Sequence, residues 1–458
     1  MSNDLRNVPS VSAVLEECLK QPWTPEYSHD QIVWAVREEL GQTRESLKLG
    51  NDPDDANLLT RIHLRIRKDR EPSLRRVINA TGIIVHTNLG RAPLAPEAIA
   101  RLSEISGYSN LEFDLEKGQR GSRDKHLEKL IARLLPVEAS LITNNNAAAL
   151  LLILNGLAEG KEVIVSRGEL IEIGGSFRLP EIMRKSGAVL VEVGTTNKTR
   201  AEDYANAIGE KTGMILTVHL SNYQIIGFTE RPALAELIRL GGEKGVPVVE
   251  DHGSGILTDL ALHGIDGEPA AARRLELGLD LVCFSGDKIL GGPQAGIICG
   301  KKLWIDKLRK NPLFRALRVD KMIYAALEAT LMLHLSGKAS HVPVIRMMSE
   351  SADNLRKRGA AWIEELRQLV PAARFSLEST ECFIGGGVAP MKGLPSFAVA
   401  VTHPKLSAEE MARKLRQHDP PIVPRIEEDH LLLELRTLST EEQNVITTAL
   451  QKILLPNP

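Results

Sequence analysis

Apolar positions along the 458-residue chain change rhythm twice, and each change marks a change of architecture. In residues 1–75 the segments VSAVLEECL, HDQIVWAVREEL and ANLLTRIHLRI place apolar side chains three and four positions apart, the spacing of one helix face. Pro72 and the turn-prone NATG at 79–82 mark the exit from this helical segment. From 76 to 335 short runs rich in Val and Ile alternate with helical stretches. The runs are ASLIT (139–143), EVIVS (162–166), AVLVEVG (188–194), MILTVHL (214–220), VPVVED (246–251), LVCFS (281–285) and AGIICG (295–300). They predict seven buried strands of a mostly parallel sheet joined by crossover helices. In residues 336–458 two capping boxes, Ser407 with Glu410 and Ser439 with Glu442, predict two helix starts, and PIVPRIEEDHLLLEL between them predicts a hairpin. The expectation is an α/β protein in three parts: a helical N-terminal module (1–75), a large sheet domain (76–335) and a small α+β domain (336–458).

Composition narrows the class. The length exceeds one core, and 43% apolar with 25% charged residues is the balance of a globular protein. No stretch approaches the roughly 18 apolar residues of a membrane helix, and MSNDLRNVPSVSAVLEECLK lacks the basic-then-apolar layout of a signal peptide. Cysteines at 18, 283, 299 and 382 have no metal-ligand spacing, which predicts a reducing cytoplasm rather than a disulfide framework. With 57 basic against 59 acidic residues, a nucleic-acid partner needs a local basic patch. Residues 61–76 (RIHLRIRKDREPSLRR), with seven Arg or Lys against two acids, are either that patch or a solvated helix face.

Ligands of open α/β sheets sit beyond the carboxyl ends of the strands, and the chemistry-bearing residues fall there. FSGDKILGGPQAG (284–296) puts Lys288 just past a strand end. Confinement favours the neutral amine, the form that attacks an aldehyde. Ser285 offers a hydroxyl to a phosphate, and Gly291 and Gly292 would let the backbone approach a flat ring. Asp251 ends the run VPVVED; its carboxylate either holds a pyridine nitrogen protonated, making the ring an electron sink, or caps the turn in DHGSG. In TNNNAAALLLIL (143–154) a strand runs into a helix, where the amides near Asn145, Asn146 and Ala147 can take an anion. A lysine beside glycines is by itself most often a loop lysine. Cradle, aspartate and lysine in this order, at strand ends of one domain, point to pyridoxal 5′-phosphate (PLP) carried by Lys288.

Over nearly its whole length the sequence resembles the bacterial L-seryl-tRNA(Sec) selenium transferases, the selenocysteine synthases. The resemblance rests on VINATGIIVHTNLGRAPL (77–94), TNNNAAALLLIL, VIVSRGELIEIGGSFRLPEIM (163–183), VEVGTTNKT (191–199), HLSNYQIIGF (219–228), DHGSG, FSGDKILGGPQAG and RALRVDKM (315–322). His252 departs from it, standing where an aliphatic residue is expected. The resemblance implies a fold-type-I PLP transferase that eliminates the seryl hydroxyl to a dehydroalanyl intermediate and adds selenium from selenophosphate, with Lys288 moving the proton. It implies that Arg91, Arg315 and Arg318 hold that anionic donor; the last two, at i and i+3 on one helix, would share a face. Read without it, these arginines are surface or intersubunit salt-bridge formers. It implies as well that the N-terminal module reads tRNA by shape and backbone, and that the chain forms a homo-oligomer, a decamer, with shared active sites. Arg425 invites comparison with arginines that hold a free amino-acid carboxylate; with the carboxyl esterified to tRNA it should not be essential in that role. Asp287 either tunes Lys288 or holds a loop, and Asn222 either touches the cofactor's phenolic oxygen or caps a turn. The ring-stacking residue stays open among His86, His219 and His252, and the acid for the leaving hydroxyl is unassigned. Two rival readings are a PLP lyase acting on a small metabolite and an inert RNA-binding scaffold on the same fold.

Overall fold

In the computed structural model the chain divides into two units, Met1–Arg76 and Val77–Pro458. The residues described are 8–49, 57–173, 177–220, 223, 225–257, 260–265 and 269–455. Among them no helix is long and apolar enough to cross a membrane.

Among the described residues the first unit has three α-helices, α1 (Val11–Leu19), α2 (His29–Lys48) and α3 (Leu58–Arg70), with a 3-10 turn at Thr24–Glu26. Ser10 caps α1, and Ser28 with Gln31 forms a capping box on α2, satisfying amides that a helix start leaves without partners. The helical spacing read from the sequence becomes a core of Val14 and Cys18 from α1, Ile32, Val36 and Leu40 from α2, and Ile62 and Ile66 from α3. Glu39, also on α2, is buried and accepts from Arg61 at 3.2 Å.

The second unit is built on two sheets. The larger runs in the order Ala139–Thr143, Gly296–Gly300, Leu281–Ser285, Val248–Gly253, Thr212–Val218, Glu162–Ser166, Val189–Val193. All of its pairings are parallel except the two made by Gly296–Gly300. The reason is local. A parallel return needs a crossover of a dozen or more residues, and only positions 286–295 separate Leu281–Ser285 from the next strand. That short connection carries Lys288. Helix Asn146–Ala158 lies on the sheet with eight residues buried, among them Leu150, Ile153 and Leu157.

The second sheet has six strands, ordered Ile78–Ala80, Ile422–Glu427, His430–Glu434, Val388–Thr402, Arg374–Gly385, Ile83–Val85. Helices Ala352–Leu369, Ala408–Arg416 and Thr440–Leu454 contribute Trp362, Leu366, Met411, Leu415, Ile446 and Leu450 to its core. Both capping boxes form, and Ile422–Glu427 pairs with His430–Glu434 as an antiparallel hairpin. Residues 77–85 differ from the sequence reading, which attached them to the large sheet domain. They supply both edge strands of the second sheet, Ile78–Ala80 beside Ile422–Glu427 and Ile83–Val85 beside Arg374–Gly385. Three-residue strands cannot bury a core alone, so they complete one built by later residues. Gly82 turns between them at φ 80°, and a Cβ there would lie 2.6 Å from Cγ of buried Glu434.

Candidate active site

Lys288 sits on a connection held from several sides. Gly286 donates to the Ala295 carbonyl (2.8 Å), Gly292 to that of Gly286 (2.9 Å) and Gly291 to that of Lys288 (3.0 Å). Ile289 donates to the Ser254 carbonyl at 3.2 Å, tying the loop to the residue after strand Val248–Gly253. The lysine is buried, and loss of hydration is the main force lowering its pKa below the ordinary value, with Arg91 acting in the same direction and Asp251 and Asp287 opposing.

Strand alternation places consecutive acids on opposite faces of the large sheet. Glu250 turns to one face, where Arg274 Nε donates to its two oxygens at 2.9 and 3.0 Å. Asp251 turns to the other, where Asn146 Nδ2 donates to Oδ1 at 2.8 Å and the Cys283 thiol lies 3.9 Å from the same oxygen. Burial pushes the Asp251 carboxyl above the usual carboxylate range, and the Asn146 bond and the charge of Lys288 only partly offset it. A buried acid facing a neutral amide is short of a positive charge, which a protonated ring nitrogen would supply. Asn146 Oδ1 and Asp287 Oδ1 are also buried without a hydrogen-bond donor, so polar capacity is left over on this face.

Asn145 is the N-cap of helix Asn146–Ala158, its side chain accepting from the Ala148 amide at 2.8 Å. The amides of Asn146 and Ala147 meet no acceptor among the described residues and are directed out of the helix start. The Thr143 hydroxyl donates to the carbonyls of Asn145 (3.0 Å) and Gly296 (3.2 Å) and fixes the turn. Ser285, buried, ends the strand that leads to Lys288.

Arg91, with φ 66°, donates from Nη1 to Asp287 Oδ2 at 2.7 Å, and the Ala92 amide donates to the Asp287 carbonyl at 3.2 Å. Asp287 thus holds the loop through Arg91 and Ala92, and its charge also acts on Lys288, so both readings of it have a physical basis. Arg315 and Arg318 line a separate cavity of about 390 Å³. Arg318 departs from expectation: helix Pro312–Leu317 ends before it, and at ψ 143° it is extended, so the two arginines do not share a helix face. The chain must leave the helix there because Val319 is buried and Asp320 caps the next helix. The two glycines also differ from expectation. A Cβ on Gly291 would lie 2.1 Å from Val342 Cγ1, and one on Gly292 would lie 3.2 Å from the Gly286 carbonyl oxygen. At both positions the missing Cβ makes room for protein.

The His219 and His252 rings are 5.2 Å apart and tilted by 38°, and the His219 amide donates to the Asp251 carbonyl at 2.9 Å. His86 accepts from the Asn88 amide at 3.2 Å. Asn222 lies outside the described residues. Arg425 faces acids, 3.4 Å from Glu427 and 3.9 Å from Glu434. Sequence reasoning missed the side chain of Asn146, which joins the helix start to Asp251, and it missed Cys283. Strand register carries the signal for the cysteine, since Cys283 is the direct neighbour of Asp251.

A parallel sheet with one reversed strand, an amine on the connection into that strand and an acid one strand away define a fold-type-I PLP enzyme, and the chain is of that class. The solved structure of D-glucosaminate-6-phosphate ammonia-lyase shares the fold, with TM-score 0.58 at 19% identity over 88% of this chain and 99% of that one. The chain belongs to the L-seryl-tRNA selenium transferase family, whose profile matches residues 77–439. It is 46% identical to the L-seryl-tRNA(Sec) selenium transferase of Carboxydothermus hydrogenoformans, over 98% of each chain. With that of Aquifex aeolicus it shares 46% identity over 99% of this chain and 100% of the relative.

Proposed function

We propose that the chain converts L-seryl-tRNA(Sec) into L-selenocysteinyl-tRNA(Sec), with PLP as cofactor and selenophosphate as selenium donor. The carrying observation is a buried amine and a buried acid without a cationic hydrogen-bond partner at neighbouring strand ends, in a chain of this family. Bound PLP supplies the electron sink for charge released at the seryl Cα. Lys288, whose pKa burial lowers, would hold the cofactor through its aldehyde and, when the substrate amine takes its place, would carry the α-proton. Asp251 holds the ring nitrogen protonated. The amides of Asn146 and Ala147, in the turn set by Asn145, take the phosphate together with the Ser285 hydroxyl. Loss of the α-proton and β-hydroxyl as water would leave a Cα=Cβ double bond; selenium would add at Cβ as a proton returns to Cα, and cleavage of the donor's Se–P bond by water would release phosphate. Arg315 and Arg318 orient the donor, and Arg91 joins them while anchoring Asp287 beside the lysine. Arg425 has no free carboxylate to hold.

In this reading residues 1–75 recognise the tRNA, 76–335 carry the cofactor and 336–458 form the small domain beside it. The basic run 61–76 fits a backbone contact of limited extent. Arg65 donates to Gln42 at 2.6 Å and Arg70 lies 4.4 Å from the Tyr27 ring centre, whereas Arg67 and Lys68 are exposed on α3. The assembly is a homodecamer in the cytoplasm. The test is incubation of the full chain with seryl-tRNA(Sec), PLP and selenophosphate, then hydrolysis of the ester and mass analysis of the amino acid. Selenocysteine is expected; recovery of serine alone rejects the reading.

A further inference from the structure

The cavity lined by Arg315 and Arg318 is more basic than one small anion requires. Arg120, Arg123, Arg309 and Lys310 face it too, against the carboxylates of Glu112 and Asp124. Ion pairing divides these cations. Arg309 donates to Asp306 at 2.6 Å, Asp124 at 3.2 Å and Glu128 at 3.3 Å. Arg123 donates to Glu112 at 2.9 Å and to the Val319 carbonyl at 2.6 Å. Those two arginines are framework. Glu112, already held by Arg123, lies 3.4 Å from Arg120 and 3.6 Å from Arg318, so one carboxylate serves three guanidinium groups. Lys310 and Arg315 are exposed and make no ion pair with a carboxylate among the described residues, although the Lys310 charge is felt by Asp306, which Lys302 and Arg309 already hold. Positive charge is left over, and it is spread along the cavity.

Exposure gives the spread a direction. The Arg318 side chain is 27% exposed and that of Arg120 is 79% exposed. Arg318 follows Leu317, whose carbonyl accepts from the Asn144 amide at 3.0 Å, next to the Asn145 cap. The inner end therefore adjoins the helix start of the cofactor site. Arg120, on the strand Gln119–Arg120, and Lys310, ending helix Lys302–Lys310, reach the rim from separate elements.

We propose that this cavity has two anion positions: an inner one at the less exposed Arg318, completed by the exposed Arg315 three residues before it, for the selenium donor, and an outer one at Arg120 and Lys310 for a backbone phosphodiester near the 3′ end of the aminoacylated RNA. The inference rests on the function proposed above and adds its own contact. Two arginines suffice for one small anion, and a strand that presents phosphates in series is the ligand that uses the remaining charge. The outer pair then sets the distance at which the esterified amino acid enters the site.

The test measures binding of fluorescently labelled seryl-tRNA(Sec) to the full-length, PLP-loaded protein across a salt series. Arg120→Ala with Lys310→Ala should weaken binding on the order of tenfold and flatten the log K against log salt slope by about 0.7 per lost contact. KM for selenophosphate should not move, and restoring charge with Arg120→Lys and Lys310→Arg should recover most of the affinity. Unchanged RNA affinity and slope overturn the proposal, as does a raised selenophosphate KM with RNA binding intact, which would make the rim part of the donor position. If wild-type protein binds the RNA but yields no selenocysteine, the function falls, while the variants still decide the RNA contact. If wild-type protein does not bind the RNA, both fall.

Discussion

Glu250 and Asp251 are consecutive residues of one strand, both buried, and they face opposite sides of the large sheet. Glu250 accepts from both Nε and Nη2 of Arg274, a charge-assisted contact that answers its negative charge within the protein. Asp251 accepts from a neutral carboxamide, and its surroundings favour the uncharged acid. A buried carboxylate with its own guanidinium is a structural joint. One without it opposes folding until a ligand arrives, and the contrast marks which face of the sheet works on a ligand.

The largest effect expected from breaking this contrast comes at Lys288. Lys288→Ala removes the amine from the ligand-facing side and leaves the Glu250 side intact. Turnover should fall by at least about a thousandfold, and the visible absorbance of the PLP-loaded protein should disappear with the fold retained. Borohydride reduction followed by peptide mapping checks the wild type; a pyridoxyl label on any side chain other than Lys288 would sink the assignment.

The next test compares the two acids directly, with opposite signs. Glu250→Gln leaves Arg274 without its counter-charge and should destabilise the protein by about 2 kcal/mol. Asp251→Asn should cut turnover on the order of a hundredfold or more while raising the melting temperature of cofactor-free protein at pH 7. The sign follows from linkage. Burial raises the folded pKa of Asp251 above the ordinary aspartate value of about 3.8, so the folded protein holds this proton more tightly than the unfolded chain. Its ionisation opposes folding as pH rises through the folded value, and the opposition is absent below about 3.8. The gain from Asp251→Asn should therefore shrink as pH is lowered towards that value. Differential scanning calorimetry from pH 4 to 8 measures it, and a loss of stability at pH 7 would contradict the charge deficit.

How far these residues could be read in advance depended on whether the signal was local. The seven strands of the large sheet were legible because each is a short, largely apolar run, buried in all but the edge strand Val189–Val193, where only Val193 is buried, and Lys288 and Asp251 because both fall at or just past the ends of such runs. The capping boxes at Ser407 and Ser439 were legible for the same reason, with donor and acceptor three residues apart. Residues 78–85 were not, because a three-residue strand carries no mark of which sheet it will edge. Nor was the clash that requires Gly291, since Val342 lies 51 positions away in the sequence. Arg318 looked helical because the i, i+3 rule presumes a helix long enough to hold both residues, and this one ends at Leu317. Local pattern gives an element and its buried face; the partner across the gap is set by tertiary packing.

Asn146 shows the same limit on the finest scale, and it supplies the smallest effect. The sequence points to its backbone amide at a helix start, while the folded protein also turns its side chain to Asp251, 105 positions later, at 2.8 Å. This is the one hydrogen-bond donor besides the weak Cys283 thiol that the described side chains bring to that carboxylate. Asn146→Ala should leave the backbone amide in place and remove only that donor. A neutral bond of this kind contributes about 1 kcal/mol, so PLP affinity should fall roughly fivefold, far less than for the charge changes at Asp251. Asn146→Asp would place a second acid against the first, and the like charges should weaken PLP binding further. Titration of cofactor-free protein with PLP, read by absorbance, separates the two variants. Equal affinity in wild type and Asn146→Ala would mean that Asp251 is held in place without the carboxamide, and the two faces of the sheet would then differ only in their cations.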